Sequence, residues 1–190
     1  MDASLEGVAL ADLKRASEVL SRRYRAETRD GRLHISDELA AKAYLAARLP
    51  ATYAAVRASL ESVAEMCPDF TPATMLDVGC GPGTALWAAR GCWSDLQSAT
   101  MIEASPAIRA VGSKLAENVG LQTDWRAGDL VKEKIDFPQA DLVTIAYVLD
   151  ELAPLARQHP VERLWASALL LLVIVAPGTP AGSPPTLQCP

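Results

Sequence analysis

At 190 residues, half of them hydrophobic and 22% charged, the chain is long enough to build one domain around its own core and too apolar to be disordered by composition. A net charge of −5 excludes a protein that coats nucleic acid over its whole surface. The charge is uneven, because Lys14 to Arg32 carries seven Lys/Arg against three Asp/Glu, a local +4 that leaves −9 elsewhere. The cysteines, Cys67, Cys80, Cys92 and Cys189, form no C-x-x-C pair, so a reducing, cytoplasmic setting is expected. Met1-Asp2-Ala3-Ser4-Leu5-Glu6 is acidic and lacks the apolar stretch of a signal peptide. The run from Leu164 to Ala176 is too short to span a membrane and suits a helix end plus a buried strand.

The first predicted element is a helix over residues 8–26. Leu13, Ala16, Leu20 and Tyr24 mark its apolar face, with Lys14, Arg15, Arg22, Arg23 and Arg25 opposite. That basic face reads either as a solvated surface or as a patch for RNA phosphates. Thr28-Arg29-Asp30-Gly31 predicts a turn. Ser36 is the expected N-cap of a second helix reaching about Arg48, with Asp37 and Glu38 in its first turn. A third helix is expected from near Pro50, burying Tyr53, Val56, Leu60 and Val63, with Pro68 and Pro72 bracketing its exit.

The periodicity then changes. Strands are expected at Thr74–Val78, Thr100–Glu103, Leu121–Arg126, Asp141–Val148 and Leu170–Val175. Helices are expected over Thr84–Arg90, from Ser105-Pro106 to about Asn118 with Gly120 as a stop, and around Trp165 after Pro160. This alternation predicts an α/β fold, a Rossmann-like, doubly wound, mostly parallel sheet behind an N-terminal helical element. The expected domains are 1–70 helical, 71–178 Rossmann-like and 179–190 a proline-rich tail. Strands that would follow the fifth are missing from this division, which leaves the fifth as an exposed apolar edge or the chain as a fragment.

The chemistry concentrates in Met75-Leu76-Asp77-Val78-Gly79-Cys80-Gly81-Pro82-Gly83-Thr84. An apolar strand runs into glycines at alternate positions and then into a helix. Such a loop lets backbone N–H groups approach a ligand and places a helix N-terminus beside it. Gly79 and Gly81 each lack the third glycine of G-x-G-x-x-G, since Thr84 and Leu86 stand there, and no G-K-[ST] follows. The remaining pattern, D-x-G-x-G-x-G after a strand, resembles motif I of class I S-adenosylmethionine-dependent methyltransferases. The resemblance implies S-adenosylmethionine as cofactor. Glu103, at the end of strand two, would take the ribose hydroxyls, Asp129 after strand three the adenine amino group, and Asp77 the loop and the methionine ammonium. Gly79, Cys80, Gly81 and Gly83 would form the cradle; Tyr147 reads as a residue that stacks on the adenine or on a substrate base, or as one that fills the pocket. Each carboxylate also has a plainer reading: Asp77 as a turn cap, Glu103 as a strand-end charge, Asp129 as an Asx-turn. Cys80 reads as a small loop filler.

Four further segments extend the resemblance over residues 10–182. They are Ala43-Tyr44-Leu45-Ala46-Ala47-Arg48-Leu49-Pro50-Ala51-Thr52-Tyr53-Ala54-Ala55, Met101-Ile102-Glu103-Ala104-Ser105, Ala146-Tyr147-Val148-Leu149-Asp150-Glu151-Leu152, and Val173-Ile174-Val175-Ala176-Pro177-Gly178-Thr179-Pro180. Together they resemble the methyltransferase-like proteins associated with the small ribosomal subunit in mitochondria, and their bacterial relatives. That family is assigned to ribosome assembly or rRNA methylation, so small-subunit rRNA is the implied partner. Two departures stand out. Ala176 replaces a glutamate that usually precedes Pro-Gly-Thr-Pro. The family's cysteine-bearing C-terminal region is reduced to Cys189, and one thiolate cannot hold an iron–sulfur cluster, so no metal is expected.

Methyl transfer from a sulfonium needs in-line positioning, and a base only where the acceptor must lose a proton. The acceptor side would be Tyr147-Val148-Leu149-Asp150-Glu151-Leu152. It carries neither the Asn/Asp-Pro-Pro-aromatic motif of amino-group methylation nor a cysteine nucleophile. No catalytic residue is assigned; Asp150, Glu151 and Tyr147 are the candidates. Three functions stay open: an rRNA methyltransferase, a non-catalytic assembly factor that binds the cofactor, and a small-molecule or protein methyltransferase.

Overall fold

The computed structural model describes residues 9–25, 35, 37–130 and 135–177. The predicted turn at Thr28–Gly31 and the tail 179–190 lie outside these residues. Three helices come first: α1 (Leu10–Arg25), α2 (Glu38–Ala47) and α3 (Leu49–Met66). Leu20 is the buried anchor of α1, while Lys14, Arg15 and Arg22 are exposed. The cap of α2 falls one residue later than expected. Ser36 lies outside the described residues, and Asp37 holds the helix start by accepting from Ala40 N at 2.8 Å. Alanine at 41 and 43 keeps that helix thin enough for close packing, with Leu45 fully buried beside them. Pro50 sits in the first turn of α3, where its missing N–H removes no helical bond. Val56, Leu60 and Val63 are buried as expected. Tyr53 is not: it is 37% exposed.

The α/β part then alternates β1 (Thr74–Val78), α4 (Thr84–Cys92), β2 (Ser98–Glu103), α5 (Pro106–Ala116), β3 (Gln122–Ala127), β4 (Ala140–Ala146), α6 (Gln158–Ser167) and β5 (Ala168–Val175). Two single 3-10 turns, Leu149–Glu151 and Pro154–Ala156, lie between β4 and α6. The five strands form one parallel sheet in the order β3-β2-β1-β4-β5. The order reverses beside β1, the switch point at which doubly wound sheets open a crevice.

Strand alternation assigns each side chain to a layer. Met75 packs with Val56, Leu60, Leu86 and Leu142 on the α3/α4 side, whereas Leu76 and Val78 pack with Val143, Ile145 and Leu164 on the other. Asp77 shares the Met75 face, so a carboxylate ends up under α3 and α4. A clamp fixes the opposite end of these strands: Asp141 Oδ2 accepts from Ala73 N, Thr74 N and the Thr74 hydroxyl at 2.9 to 3.0 Å.

β4 ends at Ala146, two residues before the predicted end, because Tyr147 turns out with φ 63. Its N–H donates to Val175 O at 2.8 Å, which holds the left-handed turn in place. β3 lies at one edge of the sheet with alternating partial exposure, which explains its weak apolar pattern. β5 lies at the other edge of the described residues and leaves Leu169, Leu170 and Ile174 exposed.

Candidate functional site

The carboxyl ends of β1 and β4 meet α2 and α3 around an open pocket whose empty space, adjoining solvent included, is about 300 Å³. Asp77 lies at the end of β1, followed by Gly79, Cys80 and Gly81 from the loop and Thr84 and Ala85 from the start of α4. Ala146 and Tyr147 close it from β4, and Tyr44, Thr52 and Val56 form a wall from α2 and α3.

The loop takes its shape from left-handed residues at Gly79 (φ 67), Gly81 (φ 55) and Gly83 (φ 88). Gly79 N and Cys80 N both donate to Ile102 O, at 2.8 and 3.1 Å, so the loop folds over the end of β2. A Cβ on Gly79 would stand 2.2 Å from Val148 Cγ2, so the loop and the segment after β4 touch there. A Cβ on Gly81 would meet nothing within 4 Å; its backbone borders open space in the pocket.

Asp77 is 1% exposed. Its Oδ1 accepts from the Thr144 hydroxyl at 2.7 Å, a contact set by the β1–β4 register, which pairs Asp77 with Thr144. Its Oδ2 is buried with no hydrogen-bond partner. Burial, and then the nearby Glu103 charge, push this carboxyl up to about 7, against the lowering effect of Thr144. A buried carboxylate oxygen without a donor is costly, and a ligand that brings a donor or a positive charge removes the cost.

Glu103 ends β2 and turns back onto the loop. Its Oε2 accepts from Gly81 N at 2.9 Å and its Oε1 from Ser105 N at 2.7 Å. Burial raises its carboxyl, while those backbone donors and Arg109 act in the other direction. The Cys80 thiol is pushed well above its usual value by burial and by Asp77 and Glu103, which leaves it a neutral filler at neutral pH.

The structure therefore brings Asp77, Gly79, Cys80, Gly81 and Tyr147 into one pocket, with Glu103 bonded to its loop. Gly83 and Asp129 are not among the lining residues. Gly83 instead starts α4 and packs on Trp125, and Asp129 follows β3 at the same end of the sheet. Asp150 and Glu151 sit in the 3-10 turn beyond Tyr147, outside the lining. Asp150 pairs with Arg157 at 3.8 Å. Desolvation of its carboxyl, with Glu103 and Asp150 nearby, pushes Glu151 up to about 7, although the residue as a whole is exposed. Among the described residues no group of three or more His, Cys, Asp or Glu converges as a metal site, and no helix is long and apolar enough to cross a membrane.

Sequence reasoning missed Tyr44, Thr52 and Thr144. Thr144 had a readable signal, a lone hydroxyl in an apolar strand. The two helical residues had none, because their role depends on how α2 and α3 pack over the loop.

The sequence matches the family described as mitochondrial small ribosomal subunit Rsm22 over residues 38–188. The chain belongs to the Rsm22 family. A curated relative is the human protein METTL17, described as a mitochondrial ribosome assembly protein. This Rsm22-family chain is 32% identical to it over 148 residues, which are 73% of the chain but 32% of METTL17, about a third of that relative's length. The fold is that of known methyltransferases. An O-methyltransferase family protein from Burkholderia thailandensis matches 85% of the chain, over 51% of its own length, with TM-score 0.64 and 16% identity. The plantazolicin methyltransferase BpumL, solved with SAH, matches 86% of the chain over 61% of its own, with TM-score 0.58 and 18% identity.

Proposed function

We propose that this Rsm22-family chain binds S-adenosylmethionine and acts on or binds small-subunit ribosomal RNA during ribosome assembly. The observation that carries the cofactor reading is Asp77 Oδ2, a buried acceptor without a partner in a pocket beside a glycine loop. The donor set fits such a cofactor: an acidic floor at Asp77 for its cationic groups and the uncapped start of α4 for its carboxylate. Asp77, Gly79, Cys80, Gly81 and Gly83 hold its amino-acid end, Glu103 and Asp129 its ribose and adenine, and Tyr147 packs against it. When bound, the cofactor supplies an electrophilic methyl on a sulfonium. The chain positions it in the pocket that Tyr147 borders.

The RNA reading is supported by family membership, by the assembly role named for METTL17, and by the exposed Lys14, Arg15 and Arg22 on α1. Among the described residues Cys67, Cys80 and Cys92 form no disulfide, which suits a reducing, cytoplasmic setting.

A second reading, a cofactor-binding assembly factor without turnover, is favoured by one observation. Asp150 and Glu151 are not among the residues that line the pocket, and Asp150 pairs with Arg157, so neither carboxylate stands in the lining as a base. Calorimetry with S-adenosylmethionine, with Asp77→Ala and Glu103→Ala as controls, tests the cofactor. Absence of binding by wild type removes both readings. Crosslinking to small-subunit precursors tests the RNA partner. A methyl-transfer assay on rRNA from a strain lacking the protein separates enzyme from factor: label incorporation supports the first, and crosslinking without label the second. Transfer to a small molecule or protein, with no crosslink, would overturn both.

A further inference from the structure

Helix α5 carries a buried glycine, Gly112, in its interior, although glycine weakens a helix relative to alanine there. A Cβ at this position would stand 2.4 Å from Trp125 Cη2, 2.7 Å from Trp125 Cζ3 and 3.0 Å from Pro82 Cα. The missing side chain therefore makes room for the Trp125 indole and for the backbone of the glycine loop. The same edge of the ring lies over the next loop residue. A Cβ on Gly83 would stand 3.4 Å from Trp125 Cη2 and 3.8 Å from Met101 Cε. The β2–β3 register pairs Met101 with Trp125, so the two side chains leave the sheet side by side toward Gly83. Trp125 Nε1 is buried with no hydrogen-bond partner, so the indole serves here by its shape and not by its N–H. Gly83 lies between Gly81 and Thr84, which line the pocket, and it is the left-handed residue from which α4 starts with no side-chain cap. One rigid ring thus reaches from α5 to the turn that aims the first free N–H groups of α4.

We propose that Trp125 is a positioning residue for the glycine loop: wedged between Gly112 and Gly83, its indole holds Pro82 and Gly83, and with them the start of α4, where the carboxylate of an amino-acid-bearing ligand binds. The proposal rests on the cofactor reading above and adds a residue outside the pocket lining to those that set what the pocket prefers. Gly112 is the other half of the device, because only a residue without a Cβ lets the ring and the loop meet.

The test is calorimetry on the full chain at pH 7.5 with three probes. S-adenosylmethionine and S-adenosylhomocysteine carry the carboxylate, and methylthioadenosine does not. A phenyl ring stops short of Trp125 Cζ2 and Cη2, so Trp125→Phe frees the turn. It is expected to weaken the first two probes about fivefold and to leave methylthioadenosine within about twofold. Gly112→Ala should show the same pattern, again about fivefold, and it provides the test should Trp125→Phe fail to fold. In the Trp125→Phe background Gly112→Ala should cost no more than about twofold, because the atoms it collides with are gone. Val119→Ala, in the same core but beyond the far end of α5, is the control: it lowers stability and should leave the ratio between the probes unchanged. Equal losses for all three probes, losses that multiply in the double variant, or no loss in either single variant would each overturn the proposal. If wild type itself binds none of the probes, the cofactor reading fails and this proposal with it. Wild-type binding with an unaffected ratio in both single variants overturns the proposal alone.

Discussion

The Thr144 hydroxyl donates to Asp77 Oδ1 at 2.7 Å across the β1–β4 register, and this bond leaves Asp77 Oδ2 as the oxygen without a partner. Parallel pairing makes the contact unavoidable once Thr144 and Asp77 share a face. The ligand-free fold thus holds a carboxyl that burial keeps near its midpoint at neutral pH, about 7. The cost of ionising it is carried by the fold and is relieved by whatever positive group enters the pocket.

A pH dependence follows from that value. The Asp77 carboxyl sits at about 7 in the fold against an ordinary 3.8, so between those values the folded state holds a proton that the unfolded chain has released. Its stabilising contribution is complete below about pH 4 and is lost as pH rises through about 7. Asp77→Asn removes the titration while keeping the shape. Thermal melts of ligand-free protein should show the variant close to wild type at pH 4.5 and more stable at pH 8. A wild type that remains the more stable protein at pH 8 would contradict the assignment.

Thr144→Val deletes the one donor that Asp77 has. The exchange keeps the side chain's shape, so the loss reports the hydrogen bond. At pH 7.5 urea denaturation should register about 1–3 kcal/mol, since a partly charged buried acceptor is left bare. At pH 5, where Asp77 is neutral, the loss should shrink to about 1 kcal/mol. Thr144→Ser should recover most of it. A loss that is the same at both pH values would mean that packing, not the carboxylate, is responsible.

Most of the fold was legible because local signals and tertiary structure agree. The switch from helical spacing to apolar runs at Thr74 marks where the sheet starts, and Thr74–Val78 is the observed β1. Ser105-Pro106 starts α5 as its chemistry requires, with Ser105 accepting from Ile108 N. Three features were not local. Tyr53 follows the apolar period of α3 yet stays exposed, since period says which residues share a face but not which of them a neighbour covers. The end of β4 is set by the turn at Tyr147, and a left-handed tyrosine leaves no mark in sequence. The helical wall of the pocket depends on packing between elements more than twenty residues apart. In the site itself, the loop glycines and Asp77 were readable as a motif, while the partner that orients Asp77 was readable only once the register was known.

Gly79→Ala tests the contact between the loop and the segment after β4. The new Cβ would sit 2.2 Å from Val148 Cγ2, on a backbone at φ 67. The left-handed conformation costs an alanine about 1–2 kcal/mol, and the collision adds to it, so a total loss of roughly 2–4 kcal/mol is expected in chemical denaturation. Val148→Ala removes the colliding methyl groups but not the backbone strain. In the double variant, Gly79→Ala should therefore cost at least about 1 kcal/mol less than it does alone. Strict additivity would show that the loop shifts away from Val148 freely and that the two segments are not coupled.

Ser105 joins the N-terminal helices to the glycine loop after β1, and its removal should separate the two. Its hydroxyl donates to Ile35 O at 2.6 Å and accepts from Ile108 N at the start of α5. Its own N–H donates to Glu103 Oε1, and Glu103 Oε2 in turn takes Gly81 N. Around this link Leu20, Ile35, Ala41 and Ile108 form a small core distinct from the two that flank the sheet. Ser105→Ala keeps the backbone bond to Glu103 but loses the cap and strands the Ile35 carbonyl, a cost of about 1–3 kcal/mol. Because the sheet cores are untouched, the loss should appear as local opening rather than global unfolding. Amide hydrogen exchange is expected to accelerate in α1 and α2, with β1, β2 and β4 close to wild type. Ser105→Thr, which keeps the hydroxyl, should restore protection. Uniform acceleration across helices and sheet would show that the small core does not open on its own, and that α1 and α2 open only together with the sheet.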